Sequence, residues 1–446
     1  MKKAALLLLA IVQLLIIVGF WAYYHVNHQM GNLLVGDLPG KLLAWGRLAG
    51  LLAAFGLLFL LMLISRAKWI ESVFGLDRLA RTHHIAGFSI LLLLLVHPML
   101  LTAGHAMQAG VGYGEQFIDF FKNWDDMPGA VIGQGLMIIA IIISVFAVLK
   151  KVRYETWYGE HLLQYVALAL VFGHQVAIGS DFTDNRYFKI YWCALYAFVA
   201  GVVVYCRFLN PLKYYLRHRF RVARLVTETG DVTSIYIEGK DLEKYPVKAG
   251  QFLIVRFLAK GFRWEAHPFS MSCCPDGGQL RLTIKQLGDF TRKIPELKPG
   301  TPVLIDGPNG IFTAGNSGSN KVLMIAGGIG ITPVRSVAEE MVYAGRDIVL
   351  IYGNRNSKSI VFKKELDELA SKAQGRLKIF HVMSDEPGWP GEKGRIDRER
   401  IERLAPDIME RDVFLCGPPV MMKGIRATLA GMNVPSSRIH YERFAL

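Results

Sequence analysis

Iron–sulfur chemistry is the first thing this sequence lacks the means for. Its 446 residues include five cysteines, Cys193, Cys206, Cys273, Cys274 and Cys416, and none forms a C-x-x-C pair. No four of them have the spacing of an iron–sulfur cluster or a zinc site. Cys193 and Cys206 lie in an apolar run and read as small core residues. Long apolar runs are missing after residue 210, where charged residues and short alternating stretches take over. Also missing is a basic stretch interleaved with aromatics in a nucleic-acid-binding motif, although the formal net charge is +14. The basic residues gather at the ends of apolar runs instead, as Lys150, Lys151 and Arg153 do, and Arg217, Arg219, Arg221 and Arg224. That placement argues against a nucleic-acid partner and is the charge pattern of a chain inserted in a bilayer.

What is present fits that reading. The chain is 52% hydrophobic with a positive mean hydropathy, as expected of a protein half in the membrane and half in water. Its length leaves room for two or three domains. Six segments are apolar and long enough to cross a bilayer core of about 30 Å, which takes about 20 helical residues. They run approximately Ala4–Tyr24, Trp45–Ile64, Thr82–Leu101, Ala130–Leu149, His161–Gly179 and Phe188–Phe208. The first follows Met-Lys-Lys, but its apolar core is too long for a secretion signal and no small-x-small cleavage site follows, so a retained helix is expected. Arg66, Lys68, Arg78 and Arg81 lie between spans two and three, and Lys150, Lys151 and Arg153 between four and five. The connection between spans three and four is an acidic loop with Glu115, Asp119, Asp125 and Asp126. The basic loops should face the cytoplasm, which places both termini and everything after residue 210 there too.

Spans three and five each carry histidines near both ends: His83, His84 and His97 on the third, His161 and His174 on the fifth. A metal-binding side chain within a bilayer is costly and marks a functional site. His83 and His97 are fourteen residues apart and return to within about 40° of one helix face, whereas His84 misses that face by about 140°. His161 and His174, thirteen apart, would need a bend, a π-bulge or a rotation in span five to point inward together. Fourteen residues rise about 21 Å, so two sites at that separation sit one in each leaflet. Facing helices would pair His83 with His161 on the cytoplasmic side and His97 with His174 on the outer side. Such six-coordinate haem suits electron transfer. A single zinc or copper ion held by the same histidines fails, because the inner and outer pairs are too far apart to share it.

With these residues the chain resembles the NADPH oxidase and ferric reductase family in its bacterial form, over nearly its whole length. Six spans with paired histidines on the third and fifth are that family's mark. His83-His84-Ile85-Ala86-Gly87 is similar to the family's His-Arg-x-x-Gly start of span three, with histidine at position 84 in place of arginine. The resemblance implies His83 as the inner ligand and shares the uneven spacing on span five.

After Arg221 short β-rich stretches appear at Arg221–Thr227, Val232–Glu238, Phe252–Phe257 and Leu280–Lys285, with turns such as Gly277-Gly278, as in an antiparallel barrel. Within it His267-Pro268-Phe269-Ser270 resembles the flavin signature of the ferredoxin–NADP reductase superfamily. The resemblance implies that His267 meets the FAD phosphate region, Phe269 flanks the isoalloxazine and the Ser270 hydroxyl approaches N5. The run Lys285-Gln286-Leu287-Gly288-Asp289-Phe290-Thr291 follows a strand and opens a helix. There Gly288 permits close backbone approach and the helix start can hold a pyrophosphate. Asp306-Gly307-Pro308-Asn309-Gly310-Ile311-Phe312 is similar to the superfamily's turn leaving the barrel.

From Lys321 the pattern becomes strand, glycine turn, helix. The strand Val322–Ala326 leads into Gly327-Gly328-Ile329-Gly330-Ile331-Thr332-Pro333, which suits a pyrophosphate but is not the ordinary dehydrogenase fingerprint. It resembles the Gly-Gly-x-Gly-x-Thr-Pro turn of the reductase superfamily. The next strand, Ile348–Tyr352, ends in Gly353-Asn354-Arg355, and Arg355 with nearby Lys358 favours the 2′-phosphate of NADPH over NADH. A strand at Asp412–Leu415 precedes Cys416-Gly417-Pro418-Pro419. The resemblance implies that Cys416 borders the nicotinamide C4. With no base evident nearby it reads as a positioning thiol rather than a nucleophile. Phe444, near the end, is the aromatic that the family stacks on its flavin.

The expectation is a multidomain chain. A six-helix transmembrane haem-binding bundle covers residues 1–210, an antiparallel β-barrel FAD domain 211–318 and a Rossmann-like α/β NAD(P) domain 319–446. Cytoplasmic NADPH would reduce FAD, and two b-type haems would carry electrons across the plasma (inner) membrane to dioxygen or a ferric chelate. No protein partner is required by the sequence. Other readings are electron donation to a periplasmic protein or a quinone, a haem-less membrane-anchored flavin reductase, and a non-enzymatic transporter or sensor on the same fold.

Overall fold

The computed structural model describes residues 2–27, 36–122, 128–148, 154–178, 182 and 184–443. Lys150, Lys151, Arg153, Asp125, Asp126 and Phe444 lie outside them. Two compact units form, one from residues 1–67 and 79–203, the other from 68–78 and 204–446.

The first unit is helical: α1 (Lys2–Asn27), α2 (Leu38–Ile64), α4 (Leu76–Ala109, from residue 79 on), α5 (Tyr113–Lys122), α6 (Pro128–Val148), α7 (Tyr154–His161), α8 (Leu163–Ile178) and α9 (Arg186–Val204). Asp37 caps α2, its carboxylate accepting from the Gly40 N–H at 3.0 Å. Apolar side chains such as Leu8, Leu15, Ile85 and Leu92 stay exposed, while Trp21, Phe188 and Trp192 fill the interior. That inversion is expected where the surroundings are lipid, since helices satisfy their own backbone polar groups there. The face of α2 toward α4 is set by small residues. A side chain at Gly46 would meet Leu101, one at Gly50 would meet His97, and one at Gly56 would meet Ile90. Such small-residue faces let membrane helices approach closely.

Among the described residues four helices are long and apolar enough to cross a membrane: Lys2–Val26, Leu38–Ile64, Leu76–Ala109 and Arg186–His218. The expected fourth and fifth spans coincide with α6 and α8. α6 has 21 residues, the length that crosses a bilayer core, while α8 has 16 among the described residues. Two expectations change in detail. The acidic connection after span three is partly the helix α5, with Phe117 meeting Phe121 edge-on at 5.0 Å, because its apolar residues recur at helical spacing. The fifth span is broken: α7 ends at His161 and α8 begins at Leu163.

The second unit starts with α3 (Lys68–Phe74) and the first turn of α4, then resumes where α9 passes through a π-helical turn at Tyr205–Leu209 into α10 (Asn210–His218). Strands β1 (Arg221–Thr229), β2 (Val232–Glu238) and β5 (Leu280–Lys285) form one antiparallel sheet. β3 (Phe252–Phe257), β4 (His267–Ser270) and β6 (Val303–Asn309) form another. Single bridges at Arg221↔Pro302 and Met271↔Leu282 join the two sheets at both sides. The expected barrel is thus a pair of three-stranded sheets closing on one core of Val222, Ile235, Leu253, Phe257 and Leu282. Between them lies the short α11 (Asp289–Arg292).

A parallel six-stranded sheet follows in the order β10-β9-β8-β7-β11-β12, from β7 (Lys321–Gly327), β8 (Asp347–Asn354), β9 (Leu377–Met383), β10 (Glu392–Lys393), β11 (Asp412–Cys416) and β12 (Ile439–Glu442). The inner strands β7, β8 and β11 are nearly continuous apolar runs, as burial on both faces requires. Helices α12 (Ile331–Tyr343), α13 (Lys363–Lys372), α14 (Arg398–Leu404) and α15 (Pro419–Gly431) flank it. A buried ion cluster ties this sheet to the flavin-type sheets. Arg281 donates to both Glu365 oxygens, at 2.7 and 3.0 Å, and Arg335 pairs with Glu365 at 3.0 Å and Glu339 at 2.7 Å. Hydrogen bonds between a guanidinium and a carboxylate are charge-assisted and among the stronger ones.

Candidate functional site

In the helical unit His83 and His97 share the unbroken helix α4. Each ring is held the same way. The Nδ1 of His83 lies 3.3 Å from the Leu60 carbonyl and that of His97 2.8 Å from the Gly46 carbonyl. A carbonyl can only accept, so Nδ1 carries the proton in both rings and the Nε2 lone pair is left for a metal. Leu60 and Gly46 on α2 are fourteen residues apart, as are His83 and His97 on α4, so the two devices repeat at the same rise. Gly50 makes room for the His97 ring, since a side chain there would come within 2.6 Å of Nδ1.

His161, the last residue of α7, has its ring centroid 6.2 Å from that of His83, with the planes at 71°. Two metal–nitrogen bonds of about 2 Å plus two ring radii just over 1 Å put ligated imidazole centroids on the order of 6 Å apart. His161 Nδ1 lies 3.4 Å from Ser144 Oγ, whose own proton goes to the Ala140 carbonyl at 2.8 Å. Trp157 donates to the same oxygen at 3.1 Å and stacks on the His161 ring. His84 makes an edge contact with His83, 6.1 Å between centroids. His174 lies on α8, and its buried Nδ1 has no hydrogen-bond partner among the described residues. The break at Leu162 puts His161 and His174 on separate helices, so the thirteen-residue spacing no longer has to fit one helix. Among the described residues no group of three or more metal-ligating side chains assembles. Paired imidazoles whose Nε2 atoms are kept free fit the axial positions of haem better than an all-protein metal cage.

In the second unit, His267, Pro268, Phe269 and Ser270 form β4 against β3, with Ser270 buried opposite Phe252. His267 stacks on Phe290, 4.0 Å between centroids, and meets Glu265 at 3.1 Å. Lys285 ends β5 and pairs with Asp231 at 3.3 Å. Asp289 and Phe290 start α11, which is only four residues long. Its Thr291 hydroxyl accepts from the Leu287 and Gly288 N–H groups, both at 2.9 Å. Two of the donors expected for a pyrophosphate are therefore engaged within the loop, and Gly288 itself borders open space.

The turn Gly327–Gly330 and the turn after Cys416 meet because β7 and β11 are neighbours, with Ala326 opposite Cys416. A side chain at Gly327 would strike Met421 and Pro418, and one at Gly330 would strike the Cys416 carbonyl. These glycines are therefore required by turn-on-turn packing. Gly328, at φ +52° with nothing near its absent side chain, is the one whose backbone faces open space. Tyr352 donates to the Gly328 carbonyl at 3.1 Å, and Thr332 donates to Ile329 at 3.0 Å, with Pro333 buried behind them. Arg355 and Lys358 are exposed just past β8. Cys416 is fully buried, and burial pushes its thiol well above the usual range, so it stays protonated. Gly417 and Pro418 carry the chain into α15.

Two further features were not anticipated. Glu442, in register with Cys416 on β12, is a buried carboxyl. Burial raises its pKa well above the usual carboxylate range, and Asp77 and Glu71 add to the effect. Glu71 is 2% exposed and accepts from the Gly310 N–H at 2.6 Å, while Lys68 donates to Asn309 at 2.9 Å and to the Pro308 carbonyl. Leu76 packs with Phe252 and Ile254. The connector Lys68–Arg78 is thus built into the flavin-type sheets. The basic residues that mark it as a loop gave no hint of this, although a Glu within a cationic connector is the one signal available.

Three family models match consecutive parts of the chain: a ferric reductase like transmembrane component over residues 49–172, an FAD-binding domain over 217–311 and an oxidoreductase NAD-binding domain over 324–427. The glycine betaine monooxygenase reductase subunit of Pseudomonas aeruginosa is 30% identical over 251 residues, covering 53% of this chain and 68% of that protein. The chain belongs to the ferric-reductase-like flavoprotein reductases. A Candida norvegensis flavohemoprotein is 29% identical, covering 50% of this chain and 56% of that protein. Among solved structures, flavohemoglobin from Malassezia yamatoensis aligns at TM-score 0.48 and 19% identity, over 90% of this chain and 97% of that one. This reductase is therefore an NAD(P)H-dependent oxidoreductase with a membrane-embedded helical part followed by FAD- and NAD-binding parts.

Proposed function

We propose that this reductase moves electrons from cytoplasmic NADPH, through FAD and two b-type haems in a six-span bundle of the plasma (inner) membrane, to an acceptor at the outer face. Dioxygen and ferric chelates are the acceptor classes this reading starts from. The observation that supports it most is the repeated device on α2 and α4, where the Leu60 and Gly46 carbonyls take the Nδ1 protons of His83 and His97.

When bound, the flavin converts a hydride donor into single electrons and the haem irons pass them on. The chain's own part is positional. His83 with His161, and His97 with His174, would hold the two haems, the rings of His83, His97 and His161 being oriented through Nδ1. His267, Phe269 and Ser270 would hold the flavin along β4, and Gly328 with Arg355 would hold the nucleotide. The protonated Cys416 thiol orients the nicotinamide without reacting, and the Arg281–Glu365–Arg335 cluster keeps the nucleotide sheet set against the flavin sheets. Phe444 would cover the flavin until the nicotinamide displaces it.

The test is anaerobic addition of NADPH to the purified protein, followed by dioxygen or ferric citrate. Reduced b-type haem bands should appear and then decay with the true acceptor. Absence of haem reduction by NADPH would overturn this reading.

A further inference from the structure

The membrane-embedded unit contains a cavity of about 760 Å³ where the end of α1 meets the start of α9. Phe20, Tyr23, Tyr24 and Tyr187 supply its rings, and Asp184 and Arg186 its charges. The polar rim is ordered by hydrogen bonds. Tyr24 donates to Asp184 Oδ2 at 2.8 Å, and the Asn185 side chain caps α9 by accepting from the Tyr187 and Phe188 N–H groups at 3.1 Å.

This composition selects a ligand class. Dioxygen needs no cavity of that size, and a hydrated ferric complex gains nothing from aromatic walls. Aromatic faces with a few convergent polar groups, in a volume within the range of about 300–1,000 Å³ used for organic ligands, take a planar amphipathic ring. Tyrosines at the ends of membrane helices lie at the lipid–water boundary, so such a ring can enter from the bilayer.

Packed aromatics run from the cavity to Gln175, which follows His174 in the sequence. Gln175, next to His174, accepts from Trp192 Nε1 at 2.8 Å. The Trp192 ring lies 5.7 Å from Phe188, and Phe188 stacks 4.8 Å from Phe20 in the cavity wall. Electron transfer weakens steeply with distance, and this packed row leaves no gap between the residue beside His174 and the cavity.

Building on the transmembrane reading above, we propose that the cavity is the acceptor site and that its substrate is a lipid-soluble quinone. NADPH gives up its C4–H as hydride, yielding NADP⁺; the hydride's proton is released to the cytoplasmic side, and its two electrons arrive at the cavity one at a time. The quinone takes both electrons and two protons from the outer aqueous side, forming two O–H bonds and leaving as quinol. The Arg186 guanidinium on the rim donates to a carbonyl oxygen and the rings stack on the quinone face.

The experiment uses the full-length protein in nanodiscs with a photoreactive azido analogue of decylubiquinone as probe. Label should map to the peptides holding residues 16–24 and 184–187 and be competed by unlabelled decylubiquinone. The double variant Phe20→Ala/Tyr187→Ala should weaken labelling about tenfold, the loss of stacking contacts, while Phe198→Ala, 55% exposed and outside the cavity, should not. Decylubiquinone should also reoxidise NADPH-reduced haems faster than ferric citrate. Label mapping elsewhere, competition by phospholipid alone, or equal labelling of the double variant would overturn the quinone site. The labelling readouts do not depend on haem reduction. Failure of NADPH to reduce the haems with the label in place would overturn the transmembrane reading alone.

Discussion

His97 donates its Nδ1 proton to the Gly46 carbonyl at 2.8 Å, and the helix that supplies the carbonyl also supplies the space, through Gly50. Any side chain at position 50 must push the ring off that bond, because its first carbon would lie 2.6 Å from Nδ1. Gly50→Leu is therefore expected to remove the outer haem and spare the inner one. Haem per protein, measured as the pyridine haemochrome, should fall by about half, as expected when one of two independently ligated sites is lost.

The inner pair gives a sharper comparison. His83 has both the Leu60 carbonyl and the His161 ring at 6.2 Å, whereas His84 has an edge contact to His83. His83→Leu should remove about half of the haem, and His84→Leu little or none. Equal losses in the two variants would reverse the assignment.

These two cases show how much the sequence carried. Period and spacing were enough to place His83 and His97 on one helix face, and glycine turns between apolar strands were enough for β7, β8 and β11. The thirteen residues from His161 to His174 called for a bend, a π-bulge or a rotation without saying which or where, because helical arithmetic assumes a continuous helix and Leu162 interrupts it. The connector Lys68–Arg78 reads as a cationic loop from charge alone. Its Glu71–Gly310 bond joins residues 239 positions apart, and no local pattern encodes such a pairing. The buried Glu442 was hidden for the same reason.

Cys416 yields a prediction about pH. Burial holds the thiol protonated well above its ordinary range, so no thiolate forms near neutral pH. The rate of flavin reduction by NADPH should stay flat from about pH 6 to 9, with no rise on the Cys side. Cys416→Ser should keep that flat profile and lower the rate by about tenfold or less, the effect of a shifted ring rather than a lost nucleophile. Stopped-flow flavin bleaching at several pH values checks both.

Arg355 is exposed past the end of β8 and tests nucleotide choice. A single guanidinium on a 2′-phosphate makes a charge-assisted bond, and its loss from an exposed site is expected to raise the NADPH KM about tenfold. NADH lacks that phosphate, so its KM should not change in Arg355→Ala. Steady-state KM values for the two nucleotides in one buffer decide the matter.

Glu442 connects the site to stability. Its carboxyl is neutral in the folded protein at a pH where the unfolded chain has already ionised, because burial, with Asp77 and Glu71 nearby, raises its pKa. The folded state then binds more protons than the unfolded one, so stability contributed by this group is fully present below about pH 4.5 and is lost as pH rises toward the raised value. Glu442→Gln keeps the shape and removes the titration. The second unit of the variant should therefore show less decline in Tm between about pH 5 and 8 than the native protein, by about 2–4 °C for each kcal/mol recovered. Calorimetry on the full-length protein at fixed ionic strength measures it. A Tm that falls equally in both proteins would mean that Glu442 is already ionised in the folded protein.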